Sequence, residues 1–133
     1  YNDKVKKDFY VYTVINGDGY ISDGYENIKL NKINNIIPLL GDCMDITPKY
    51  SADRIIMGYV KTTHHYLKVA IDSLNKGGVI HYHETVPEKL MDTRPINRIK
   101  EVAGDRSVEF LKLNKVKKYS PGVFHVVCDA RIN

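Results

Sequence analysis

The chain has 133 residues, enough for one compact domain whose single core needs no disulfide or metal to hold it. Its 43% hydrophobic and 27% charged residues exclude an intrinsically disordered chain, and no apolar run approaches the ~20 residues of a membrane-spanning helix. A formal charge of +4 suits an anionic partner, but the excess is too small to assign one.

Cys43 and Cys128 are far apart, and the N-terminal residues lack signal-peptide character. Free, buried thiols in a reducing cytoplasm account for both. Tyr1 opens the sequence without a methionine, which reads as a piece of a longer product.

Asp8 to Ile15 has the aromatic and β-branched density of a strand, closed by Asn16-Gly17-Asp18-Gly19. Tyr20 to Tyr25 is either a hairpin arm or a lead into a helix, and Tyr25 to Asn31 has helical content. Ile36 to Leu40 (IIPLL) is an apolar run whose Pro38 argues for an edge strand or a strand's first residues. Gly41-Asp42-Cys43 follows, then a polar loop or short helical turn from Met44 to Ala52.

The central unit runs from Asp53 to Glu84. Arg54 to Val60 reads as a strand, Lys61-Thr62-Thr63 as a break with a capping hydroxyl, and Leu67, Ala70, Ile71 and Leu74 as a helix ended by Gly77-Gly78. Val79 to His83 is a second strand, so the unit predicts a right-handed βαβ crossover with parallel strands. Ligands in such sheets bind at the carboxyl ends of the strands, here Met57-Gly58-Tyr59 and His81 to Glu84.

Thr85 to Lys89 connects to a helix over Arg94 to Ala103, with Pro95 in its first turn and Ile96, Ile99 and Val102 on one face. Val108 to Tyr119 and Val123 to Ile132 are strands separated by a link too short for a crossover, so they form an antiparallel hairpin. His81 and His83 alternate onto one strand face and His125 lies in another strand, which makes a metal site conceivable but the weaker idea beside hydrogen-bonded packing histidines, and none is assigned.

The resulting order resembles the class I methyltransferase-like fold after its first strand and helix: an α/β, mostly parallel Rossmann-like sheet, truncated at the N-terminus, with a C-terminal antiparallel hairpin. Three stretches sharpen the resemblance: Glu26 to Asp45 (ENIKLNKINNIIPLLGDCMD), Ala52 to Thr85 and Lys117 to Ile132 (KKYSPGVFHVVCDARI). They are similar to the archaeal tRNA wybutosine-synthesising protein 2 family, whose relatives are the tRNA guanine-37 N1-methyltransferases.

That resemblance implies a transferase in cytoplasmic tRNA processing, with S-adenosylmethionine as co-substrate and tRNA as partner. The group moved is the 3-amino-3-carboxypropyl chain, onto a tricyclic guanosine derivative at position 37. Asp42 would then accept from the adenine amino group and the Cys43 backbone would donate to the ring. Met57 and Gly58 would lie beside the methionine part, Tyr59 would stack on the incoming base, and His83 and Glu84 would face the substrate.

Two differences from the family pattern bear on activity. The first strand with its glycine-rich turn lies outside this sequence, and ungapped alignment puts Ile15 where the family has an acidic residue for the ribose hydroxyls. Residues 1–25 are poorly explained by the family. Weak or absent S-adenosylmethionine binding by the isolated chain is expected, and the alternative is a non-catalytic truncated scaffold or remnant that acts by self-association as a homo-oligomer through an exposed sheet edge or by binding another chain.

Overall fold

The computed structural model describes residues 11–15 and 21–133. The chain divides into two compact units, Tyr1–Thr47 and Pro48–Asn133. The turn expected at Asn16 to Gly19 and the first residues of the strand expected from Asp8 lie outside the described residues.

In the first unit, β1 (Val11–Ile15) pairs in parallel with β2 (Ile36–Leu40), with α1 (Ile21–Leu30) between them in sequence. Parallel neighbours need such a crossover, which resolves the ambiguous stretch before Tyr25 as helix rather than hairpin arm. Pro38 sits in the middle of β2, opposite Thr13, and is tolerated because β2 is an edge of this two-stranded sheet. Ile15 is the last residue of β1. The short α2 (Cys43–Ile46) follows, with Asp42 as its N-cap.

The second unit holds β3 (Ala52–Met57), α3 (Leu67–Ser73), β4 (Leu74–Pro87), α4 (Arg94–Ala103), β5 (Val108–Ser120) and β6 (Val123–Ile132). The sheet order is β3-β4-β6-β5, with β3 parallel to β4 and the other two pairings antiparallel. The α/β class is as expected and the two-stranded sheet is parallel, but the four-stranded sheet is mixed, so the mostly parallel expectation holds only in part. β6 turns back at Pro121-Gly122 and inserts between β4 and β5, so the hairpin supplies two of the four ladders. Gly122, at φ +69, takes the left-handed turn position that a side chain would disfavour.

β4 is longer than sequence patterning indicates. α3 stops at Ser73 and Leu74 already pairs with Ala52, so Gly77-Gly78 lie inside the strand and do not end the helix. The reason is tertiary. Arg106, following α4, donates to the carbonyls of Ile71 (2.7 Å), Leu74 (2.9 Å), Asn75 (3.0 Å) and Ile132 (3.3 Å), satisfying the helix end with a guanidinium.

Strand alternation divides this sheet into two faces. Ile80, Tyr82, Glu84 and Val86 of β4 are buried, while His81, His83 and Thr85 between them are half-buried on the opposite face. The buried face carries the core, with Leu67 and Ile71 of α3 and Ile99 of α4 packed against Ile80, Tyr82 and Ile132. Each such aliphatic side chain contributes roughly 1.5–3 kcal/mol through the water it leaves. Cys128 is buried in this core, whereas Cys43 in the first unit is only half-buried. Among the described residues no helix is long and apolar enough to cross a membrane.

Candidate functional site

β3 ends at Met57, and the chain leaves it as Gly58-Tyr59-Val60 before a single 3-10 turn at Thr63–Tyr66. The loop is not free. The Val60 carbonyl accepts from the Thr85 backbone N–H at 3.2 Å and from its hydroxyl at 3.3 Å, which docks the loop on β4 three residues beyond the end of β3. Tyr59 is 62% exposed, with its ring available to a partner. A Cβ built on Gly58 meets nothing within 4 Å, so the backbone there is open to close approach.

Met57 differs from its expected place beside a bound methionine moiety. Its side chain is 9% exposed and belongs to the core, because β3 turns it toward α3. Only its backbone remains for that role.

Glu84 is also corrected. Alternation sends its carboxylate to the face opposite His83, so the two cannot face one substrate from the same side of β4. It is 2% exposed, and its Oε1 accepts from Arg94 Nε and Arg98 Nη1, both at 2.6 Å. A buried carboxylate held by two guanidiniums is a structural anchor, not an open acceptor. Among the described residues its Oε2, the Tyr82 hydroxyl and the Thr63 hydroxyl are buried without a hydrogen-bond partner. Thr63 therefore caps no helix through its side chain. Burial, then the Glu84 charge, pushes the Tyr82 phenol well above its ordinary range. Burial and the nearby Arg98 lower His64.

The half-buried face carries a second polar system. His81 Nδ1 lies 2.6 Å from Asp129 Oδ1, and His81 Nε2 lies 2.6 Å from Arg54 Nη1. Arginine only donates, so Nε2 accepts and the ring proton sits on Nδ1, directed at Asp129. One step along, His83 Nδ1 meets His125 Nε2 at 3.0 Å, and burial lowers both rings before their charged neighbours do. Among the described residues no cluster of three or more His, Cys, Asp and Glu is placed to hold a metal.

In the first unit Asp42 is exposed, and its Oδ1 accepts from the Met44 N–H at 2.8 Å, fixing the turn into α2. The second carboxylate oxygen is left outside this capping bond. Beside it Cys43 is raised by burial first and by the Asp42 charge second.

Sequence reasoning missed Arg94, Arg98, Thr85, Asp129 and Arg54 as members of these networks. One signal was present: a glutamate inside the strand-forming run VIHYHETV needs a cationic partner when buried, and Arg94 and Arg98 are spaced i, i+4 on the next helix.

Against known proteins, residues 12–111 match the family model for the TRM5/TYW2 methyltransferase domain. A Methanocaldococcus jannaschii protein named tRNA(Phe) (4-demethylwyosine(37)-C(7)) aminocarboxypropyltransferase is 53% identical over 109 residues, 80% of this chain and 43% of that protein. Its namesake from Pyrococcus horikoshii is 43% identical, over 80% of this chain and 40% of the relative. The crystal structure of M. jannaschii TYW2 in complex with AdoMet superposes with a TM-score of 0.87 at 47% identity, covering 93% of this chain and 57% of that one. The chain thus spans about two-fifths of the length of the curated relatives it matches. The match over residues 12–111 covers most of the chain, and the chain belongs to the TRM5/TYW2 methyltransferase domain family.

Proposed function

We propose that the chain takes part in S-adenosylmethionine-dependent transfer of a 3-amino-3-carboxypropyl group to a wyosine-type guanosine at position 37 of tRNA. The observation that carries this reading is the 53% identity to a protein named for that transfer. The open backbone at Gly58 fits the close approach of S-adenosylmethionine as co-substrate. In this reading the Met57-Gly58 backbone lies along the methionine part.

The co-substrate supplies a carbon activated by its sulfonium; the C–S bond breaks with the electron pair going to sulfur, and the acceptor carbon forms the new bond and loses a proton. The contribution of this chain is orientation, worth several kcal/mol when the reacting atoms are held near attack distance. Tyr59 stacks on the acceptor base, and His83 lies on the half-buried face of β4 rather than beside Glu84. A tRNA substrate puts the chain in the cytoplasm.

The test is transfer to tRNA carrying the wyosine precursor, with S-adenosylmethionine labelled either in the carboxypropyl chain or in the methyl group. Donor is supplied in large excess, because Ile15 at the end of β1 has no oxygen to accept from the ribose. Label from the carboxypropyl chain alone supports the reading. Label from the methyl group alone, or none, overturns it.

Self-association is the second reading. It is favoured by the exposure of Phe110, Leu111, Val116 and Tyr119 along β5, an edge of the four-stranded sheet. Sedimentation at rising concentration checks it, and a monomer throughout rejects it.

A further inference from the structure

Arg94 does more than pair with Glu84. While its Nε donates to Glu84 Oε1, its Nη2 donates to the Thr85 carbonyl at 2.6 Å. Thr85 is the residue whose N–H and hydroxyl hold Val60. In a strand the N–H and C=O of one residue point to the same side, so both Thr85 groups face the edge of β4 that β3 occupies lower down. β3 stops at Met57, opposite Tyr82. Beyond that point the ladder is continued by two substitutes, the Val60 carbonyl on the Thr85 N–H and the Arg94 guanidinium on the Thr85 C=O.

We propose that Arg94 is a positioning residue for the Gly58 to Val60 loop, acting through the Glu84-Thr85 segment on which that loop docks. The inference rests on the transfer reading for its effect on chemistry but not for its effect on the loop. Arg98 is the internal control. It reaches the same Glu84 oxygen at 2.6 Å from one helical turn further along α4, whereas the hydrogen bond to the Thr85 carbonyl is made by Arg94. Glu84 fixes the direction of the Arg94 fork, and the fork fixes the peptide. A lysine keeps the charge but cannot span a carboxylate and a carbonyl with two rigid donors.

Amide hydrogen exchange on the chain and its Arg94→Lys and Arg98→Lys variants tests this. Arg94→Lys is expected to speed exchange about tenfold at Thr85, the amide that holds Val60, with Ile80 and Tyr82 unchanged, and Arg98→Lys to leave Thr85 as it is. Unchanged Thr85 exchange in Arg94→Lys, or equal acceleration at Thr85 and in the core, overturns the proposal.

In the transfer assay Arg94→Lys is expected to lower kcat about tenfold or more, with the KM for S-adenosylmethionine within about twofold of the parent. A loosened loop with unchanged kcat overturns the catalytic part. A parent chain that transfers nothing removes the functional reading, and the loop assignment then stands or falls on exchange.

Discussion

His83 and His125 share a single hydrogen bond across β4 and β6, Nδ1 to Nε2 at 3.0 Å. One ring donates and the other accepts, so a proton added to the acceptor breaks the contact. Burial is the leading cause lowering both rings from 6.5, followed by His125 and His81 for His83 and by Lys117 for His125, with Asp129 opposing at His83. A lowered folded value means that the unfolded chain binds protons first as pH falls. The stability from this pair is therefore complete above about pH 6.5 and is lost as pH drops through the lowered values. Urea midpoints measured from pH 7.5 to 5 should fall, and a His83→Gln, His125→Gln double variant should flatten that slope. An unchanged slope in the variant rejects the assignment.

Arg106 ties the end of α3 to the start of β4 and the end of β6 through four backbone carbonyls. Its removal leaves several half-buried acceptors unpaired. Arg106→Ala is expected to destabilise the second unit by about 2–4 kcal/mol, measured by urea unfolding, and Arg106→Lys to recover less than half of that.

Tyr82 presents the opposite case. Its hydroxyl is buried near Glu84 and Arg98, yet among the described residues it has no partner at hydrogen-bond geometry. Deleting an unpaired polar atom while keeping the ring costs little, so Tyr82→Phe should unfold within about 1 kcal/mol of the parent. A loss above about 2 kcal/mol would show that the hydroxyl has a partner in solution.

Gly78 marks a close backbone approach. A Cβ there would lie 2.8 Å from Leu74 Cδ2 and 3.0 Å from the Asn75 carbonyl. Gly78→Ala should cost about 1–3 kcal/mol by overpacking, whereas Gly58→Ala, with open space around it, should leave thermal stability unchanged. Thermal melts of the two variants side by side check the contrast.

Element order was legible in the sequence because it depends on local signals. The 3.6-residue spacing of Ile96, Ile99 and Val102, the alternation in Val123 to Ile132 and the short Ser120-Pro121-Gly122 link each act over a few residues. The turn at Asp42 and the open loop at Gly58 were legible for the same reason, since a strand-end aspartate and a loop glycine carry their conformation in their own backbone context.

Tertiary structure decided what no local pattern encodes. It extended β4 back to Leu74, because Arg106 from beyond α4 satisfies the end of α3. It placed β6 between β4 and β5, and so made the sheet mixed. It also decided which of the two faces that alternation gives His83 and Glu84 is covered by α3 and α4, turning the glutamate into a buried anchor for Arg94 and Arg98. The sequence by itself determined the order and type of the main elements, through short-range periodicity, but not all of their bounds. Which face of β4 meets the helices depends on where the chain returns, and only the folded packing sets that.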